Sequence, residues 1–150
     1  MKIFIFSIFL LPVVCLAQLD MIQPLTFGTI VVGKNDGVSY IEVSPLGTMK
    51  AYNHIWIIKS GQNAEFLVSN LPPYKEVNIQ VDTLTTTTST QINDTEQFLV
   101  DTVTILPSPI TTDSTGKAKI YIGAVLKTTG NNKIYLNTEY TANFRITLNY

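Results

Sequence analysis

The first place to look for nucleophilic or acid–base chemistry is His54, the single histidine of the 150-residue chain. It sits directly before Ile55-Trp56-Ile57, and no Gly-x-Ser-x-Gly elbow accompanies it. A lone histidine at a strand start is usually packed or solvated, so no triad is assigned. Zinc-type sites need several His or Cys ligands, which one histidine and one cysteine cannot supply. Calcium needs clustered oxygens; Asp94, Glu96 and Asp101 come nearest but lack the Asp-x-Asp-x-Asp-Gly spacing, and they read as a solvated charged rim. Sugar hydrolysis needs two carboxylates facing each other across a cleft, and no spacing draws Glu42, Glu65, Glu76 and Glu139 into such a pair. Gly28, Gly33 and Gly37 fall on a strand and its turn without a following helix, so they form no phosphate loop. No catalytic, cofactor-binding or metal-binding residue follows, no cofactor is expected, and the chain reads as non-enzymatic.

Binding chemistry leaves fewer candidates. Trp56 and several tyrosines could stack on a sugar, although a tryptophan inside an apolar strand reads as core. Asn93-Asp94-Thr95 is a glycosylation sequon that matters only in a host that modifies such sites. The last twelve residues, Glu139-Tyr-Thr-Ala-Asn-Phe-Arg-Ile-Thr-Leu-Asn-Tyr150, alternate apolar and polar. Such a strand must bury Tyr140, Ala142, Phe144, Ile146, Leu148 and Tyr150 against its own core or against another subunit.

The elements that would position these residues are strands. Thr, Val, Ile, Tyr and Phe suit a pleated, half-buried surface, and helix signals are almost absent. Strands are predicted over residues 25–32, ended by Gly33-Lys-Asn-Asp-Gly37, and over 38–43, ended by Ser44-Pro45-Leu46-Gly47. The nearly continuous apolar run at 54–59 predicts a strand covered on both faces. A fourth strand spans 64–69. Residues 76–82 place Val77, Ile79 and Val81 on one face and Asn78 and Gln80 on the other. The uncharged, Thr-rich stretch 83–93 reads as a loop or an exposed edge. Strands at 98–106, 117–126 and the terminal segment complete the set. Short strands with turns every 10 to 15 residues predict an all-β, immunoglobulin-like antiparallel β-sandwich of about seven or eight strands; a β-barrel is the alternative.

Residues 1–17, MKIFIFSIFLLPVVCLA, place one lysine before an apolar run that closes on Cys15-Leu16-Ala17, the pattern of a secretory signal peptide cleaved after Ala17. A membrane-spanning helix would need about 20 apolar residues, and this run is shorter and holds Pro12. Lipidation at Cys15 is disfavoured by the bulky Val14 before it. Cleavage would leave residues 18–150 as one cysteine-free domain, stabilised by an ordinary core despite export to a compartment where disulfides form. Without Lys2, 9 bases face 11 acids, which argues against nucleic acid or an anionic membrane as partner. No membrane span is expected after cleavage, and the destination is the periplasm, cell surface or medium.

Several motifs together resemble a bacterial exported family known as domain of unknown function 4402. They are Leu25-Thr-Phe-Gly-Thr-Ile-Val-Val-Gly33, Val43-Ser-Pro-Leu-Gly47, Ala64-Glu-Phe-Leu-Val-Ser69, Tyr74-Lys-Glu-Val-Asn-Ile79, Tyr121-Ile-Gly-Ala-Val-Leu126 and the terminal segment from Tyr140. The family is similar in outline to pilin and spore-coat-type secreted domains, a likeness that implies an immunoglobulin-like sandwich acting as a building block of surface fibres. It transfers no catalytic residue. Cysteines common in those domains are absent here. Only residues 18–24 precede the LTFG motif, some 20 to 25 Å of extended chain, which is short for a donated strand.

The expectation is a surface module, fimbria-like, that joins copies of itself or other surface subunits by β-strand addition. Phe144, Ile146, Leu148 and Tyr150 would carry the contact, with Leu25 and Phe27 opposite them in the core. The bland alternative is that these residues close one sandwich, with Tyr150 as a core plug. A glycan- or polymer-binding module using Trp56 is the second expectation, for which an exposed aromatic platform would speak.

Overall fold

The computed structural model describes residues 17–83, 88–89 and 96–150. The expected signal peptide, Cys15, Asp94, the Asn93 sequon and most of the Thr-rich stretch therefore lie outside the described residues. The fold is all-β, and the described residues contain no helix. Thirteen strand elements follow in order: β1 (Gln18–Gln23), β2 (Thr29–Val32), β3 (Tyr40–Val43), β4 (Met49–Tyr52), β5 (Ile55–Lys59), β6 (Ala64–Ser69), β7 (Glu76–Thr83), β8 (Thr88–Ser89), β9 (Leu99–Leu106), β10 (Ile110–Thr111), β11 (Ala118–Lys127), β12 (Tyr140–Thr141) and β13 (Phe144–Asn149).

The spine of the larger sheet is β11, whose Tyr-Ile-Gly-Ala-Val-Leu run is apolar throughout because both its edges and its inner face are covered. Its first half pairs with β6 through Ala118↔Val68 to Ile122↔Ala64, and its second half with β3 through Ala124↔Val43 to Lys127↔Tyr40. Along its other edge it pairs with β9 from Tyr121↔Leu106 to Lys127↔Leu99. Gly123 is the point where β6 hands over to β3: a Cβ there would lie 2.3 Å from the Val43 carbonyl oxygen and 2.5 Å from Pro45 N. The sheet ends at β1 beside β6 and at β4 beside β3.

Two smaller sheets make the opposing layer, in a sandwich-like arrangement. The sheet β10-β7-β13 covers one half of the spine, burying its own Val77 and Ile79 against Ala64, Phe66, Val68, Ile120 and Ile122. The pair β2-β5 covers the other half, where Ile41, Ile55, Phe98 and Leu126 are buried. The alternation at 76–82 holds, with Val77 and Ile79 buried and Asn78 and Gln80 exposed.

Several expectations change. The first strand is shorter than residues 25–32 because Gly28 adopts a left-handed conformation (φ 72°), and a Cβ there would lie 2.1 Å from the Lys59 carbonyl oxygen. The lead-in at 18–24 is not a free arm: Gln18–Gln23 pairs with β6 from Gln18↔Ser69 to Gln23↔Glu65, with a bulge after Met21. Met49–Tyr52 is a further strand, with Met49 and Ala51 half-buried between the exposed Lys50 and Tyr52. The elements number more than seven or eight because turns and bulges cut the predicted segments into shorter ones.

The run at 54–59 is covered on one face only. Ile55 is buried, yet Trp56 is 51% and Ile58 67% exposed, because β5 lies in the outer layer and no strand among the described residues covers its far side. Trp56 is therefore not core. The terminal strand is also interrupted: β12 pairs with β8, Ala142 and Asn143 are exposed, and pairing resumes from Phe144↔Thr83 to Asn149↔Asn78. Tyr150 lies beyond β13 and is 51% exposed, so it does not plug the core. Of the Thr-rich stretch, Thr88–Ser89 is an edge pairing with Tyr140–Thr141.

Candidate functional site

The titratable candidates stay apart. His54 Nδ1 lies 3.4 Å from Asp36 Oδ1 without the alignment of a hydrogen bond. Ser39 Oγ accepts from the His54 backbone N–H at 3.1 Å and makes no hydrogen bond to its ring Nδ1. Asp101 pairs with Lys127 Nζ at 2.6 Å, and that hydrogen bond, with a second from Thr102, holds its carboxyl below the usual value. Glu96 faces Lys133 Nζ at 3.9 Å. The described residues contain no group of three or more metal-ligating side chains.

Glu42, Glu65, Glu76 and Glu139 occupy four separate places. Glu65, on β6, accepts from Lys119 Nζ at 2.6 Å and keeps that ammonium charged above its usual range. Glu42 lies on β3 opposite Lys50, Glu76 on β7 opposite Thr111, and Glu139 on the loop before β12. No pair of them converges on a common cleft.

A cleft of about 920 Å³ lies between β2 and the segment that leads into β13. One wall is residues 25–32, the other is residues 135–144, and the floor is Phe98, just before β9, with Val100 and Val103 of β9 and Ala124 and Leu126 of β11. The sequence-predicted residues Leu25, Phe27 and Phe144 meet here. Ile146 and Leu148 pack instead against the first core cluster, and Tyr150 takes no part.

The far wall is braced. Phe98 stacks on Tyr135 (centroids 4.3 Å apart) and meets Tyr140 edge-on at 5.0 Å. Tyr140 OH donates to the Leu136 carbonyl at 3.1 Å and accepts from the Leu136 N–H at 3.1 Å. Tyr135 OH accepts from Thr129 N at 3.1 Å and donates to Gln97 O at 3.3 Å, and burial pushes its phenol above the usual pKa.

The near wall is a strand paired on one edge. Gly33 N–H donates to His54 O at 2.9 Å, on the β5 side. Antiparallel pairing alternates, so Val31 also turns its backbone groups toward β5, whereas Ile30 and Val32 turn theirs toward the cleft. Among the described residues no strand pairs with that edge of β2. Sequence reasoning selected Leu25, Phe27 and Phe144 but not the floor. The apolar runs at 98–106 and 121–126 were visible, but not that they lie under a gap in the opposing layer.

The arrangement suits an extended apolar segment laid between two walls, with backbone hydrogen bonds along β2 and side chains directed onto the floor. No helix among the described residues is long and apolar enough to cross a membrane. Residues 18–150 match the family model described as Domain of unknown function (DUF4402). No curated protein and no solved structure matches the chain.

Proposed function

Since this chain belongs to the DUF4402 family over residues 18–150, and that family's description carries no activity, we propose a function from the cleft: a non-enzymatic, exported surface module that assembles by β-strand addition. A strand from another copy or another surface subunit enters beside β2. Backbone groups of Ile30 and Val32 supply affinity, and apolar side chains over Phe98, Val100 and Leu126 supply specificity. The observation that carries this reading is a β2 edge that no strand among the described residues pairs with, above an apolar floor in a cleft of about 920 Å³. A bare edge of this kind is otherwise an aggregation hazard.

Export rests on the leader pattern of residues 1–17, and the fimbria-like role rests on the likeness in outline to pilin-type domains. The donor is not the chain's own lead-in while Gln18–Gln23 stays paired with β6; a donor copy would first have to release it, or another strand must serve.

The test is hydrogen exchange and sedimentation on the protein from Gln18 on. Assembly with concentration, together with new protection of the Ile30 and Val32 amides, is expected, as is loss of assembly in Ile30→Pro, which removes a cleft-facing N–H and spares the Val31 pairing with β5. A monomer at every concentration, whose Ile30 and Val32 amides exchange unchanged with or without a peptide copying residues 18–30, would end the proposal.

A further inference from the structure

The larger sheet ends on one side in a long strand, β9, which pairs with β11 along one edge. Among the described residues no strand pairs with its other edge. Which groups face that edge follows from β11: Thr128 N–H donates to Ser39 O at 2.8 Å, on the β3 side. Alternation then turns the backbone groups of Tyr121, Gly123, Val125 and Lys127 toward β9, where Leu106, Thr104, Thr102 and Leu99 oppose them. Val100, Val103 and Ile105 direct their own N–H and C=O groups at the free edge.

Edge strands are usually guarded by short length, by charge or by an internal proline. β9 has 8 residues, and Pro107 comes only after its last one. Its single charge is Asp101, the extra residue of a bulge between the pairs Thr102↔Val125 and Val100↔Leu126, and Lys127 Nζ holds that carboxylate at 2.6 Å. The core-face side chains Val100, Val103 and Ile105 are only half-buried, whereas the residues opposite them on β11, Leu126, Ala124 and Ile122, are buried. An apolar row therefore runs out to the edge with its cover incomplete.

The strand that fits this edge is β9 itself. In an antiparallel pair of two copies with Val103 opposite Val103, the bulge takes Asp101 out of the count on each side. Thr104 then stands opposite Thr102, Ile105 opposite Val100, and Leu106 opposite Leu99. Both members of each pair lie on the same face, hydroxyl against hydroxyl and aliphatic against aliphatic, the kinds of cross-strand pair that stabilise a sheet. Val103 and the Ile105–Val100 pairs present the unused backbone groups to one another, so each can exchange both hydrogen bonds. We propose that β9 is a self-association edge, through which two copies join their larger sheets about a twofold axis at Val103. Such a contact is isologous and closes at two copies. It does not depend on strand entry beside β2: Val100 and Val103 lend side chains to the cleft floor, whereas the twofold contact uses their backbone edge.

The test is sedimentation and amide hydrogen exchange on the chain from Gln18 on, which holds every strand of the fold. It is run in the Ile30→Pro background, where strand entry beside β2 is blocked, so the fate of that reading does not decide this one. A dimer that forms with concentration and grows no further is expected. The Val100, Val103 and Ile105 amides should slow as it forms, while those of Thr102 and Thr104, bonded to β11, are slow throughout. Thr102 and Thr104 are exposed, so substituting them spares the core. Thr102→Lys with Thr104→Lys sets ammonium groups opposite each other across the axis and should weaken the dimer by about tenfold or more at an unchanged far-ultraviolet spectrum. Thr102→Lys with Thr104→Glu sets opposite charges there instead and should restore it. A monomer at every concentration overturns the proposal. So does a dimer that leaves the Val103 amide exchanging freely, or one that the paired lysines do not weaken.

Discussion

Ile55 and Ile58 sit three residues apart in the same apolar run, and truncating each to alanine separates a strand covered on one face from a strand covered on both. Ile55 is 3% exposed within the second core cluster, against Ile41, Phe98 and Leu126. Ile55→Ala removes three carbons, worth ~0.8 kcal/mol each, or about 2.4 kcal/mol of transfer energy, and incomplete collapse around the hole raises the cost to ~3–4 kcal/mol. Ile58 is 67% exposed. About a third of the same transfer energy is at stake there, ~0.8 kcal/mol, with no cavity to add. Urea unfolding followed by circular dichroism should place the two midpoints well apart at similar slopes, and the Ile55→Ala melting temperature should fall by roughly 10 °C. Equal losses from the two variants would refute the layer assignment of β5. They would also remove the basis for an exposed Trp56, since residues 56 and 58 share a face.

Three further outcomes follow from local geometry. Tyr150→Ala should cost less than about 1.5 kcal/mol in the same denaturation assay, because the ring is half in solvent; a loss above ~3 kcal/mol would restore it to the core. Gly28→Ala should destabilise by at least about 2 kcal/mol, since an alanine must take a left-handed conformation (φ 72°) and meets the Lys59 carbonyl; an unchanged melting curve would contradict that crossing. Asp113 accepts hydrogen bonds from Thr115 Oγ1 and N, both at 2.7 Å, and from Lys117 N at 3.0 Å. These bonds hold its carboxyl below its ordinary value of 3.8. A folded-state pKa that is lowered stabilises above the unfolded value and loses that contribution as pH falls below it. The acid-side decline in melting temperature between about pH 5 and pH 2 should therefore be shallower in Asp113→Asn than in the parent, and identical slopes would remove this carboxylate from the acid response.

The all-β class was legible in the sequence because β-branched and aromatic residues alternate between Gly- and Pro-marked turns, and that pattern needs no tertiary information. Residues 64–69 and 76–82 were readable almost to the residue, since their alternation matches a sheet with one covered face. The terminal alternation through Ala142 misled because periodicity carries no sign of a break. The chain leaves β12 and rejoins pairing at Phe144, so Tyr140 belongs to one core cluster and Ile146 and Leu148 to the other.

For the candidate sites, residue type determined what was present: one tryptophan, one histidine, carboxylates without a common spacing, and apolar residues at 25, 27 and 144. Only the tertiary structure decided which of them meet. Whether Trp56 is core or surface depends on whether a layer lies over β5, and that is a property of strands far away in the chain. The cleft likewise exists because β2-β5 and β10-β7-β13 cover separate halves of one spine. A local sequence encodes which face of a strand is apolar; the gap between two covering sheets is set by long-range packing, which no local pattern records.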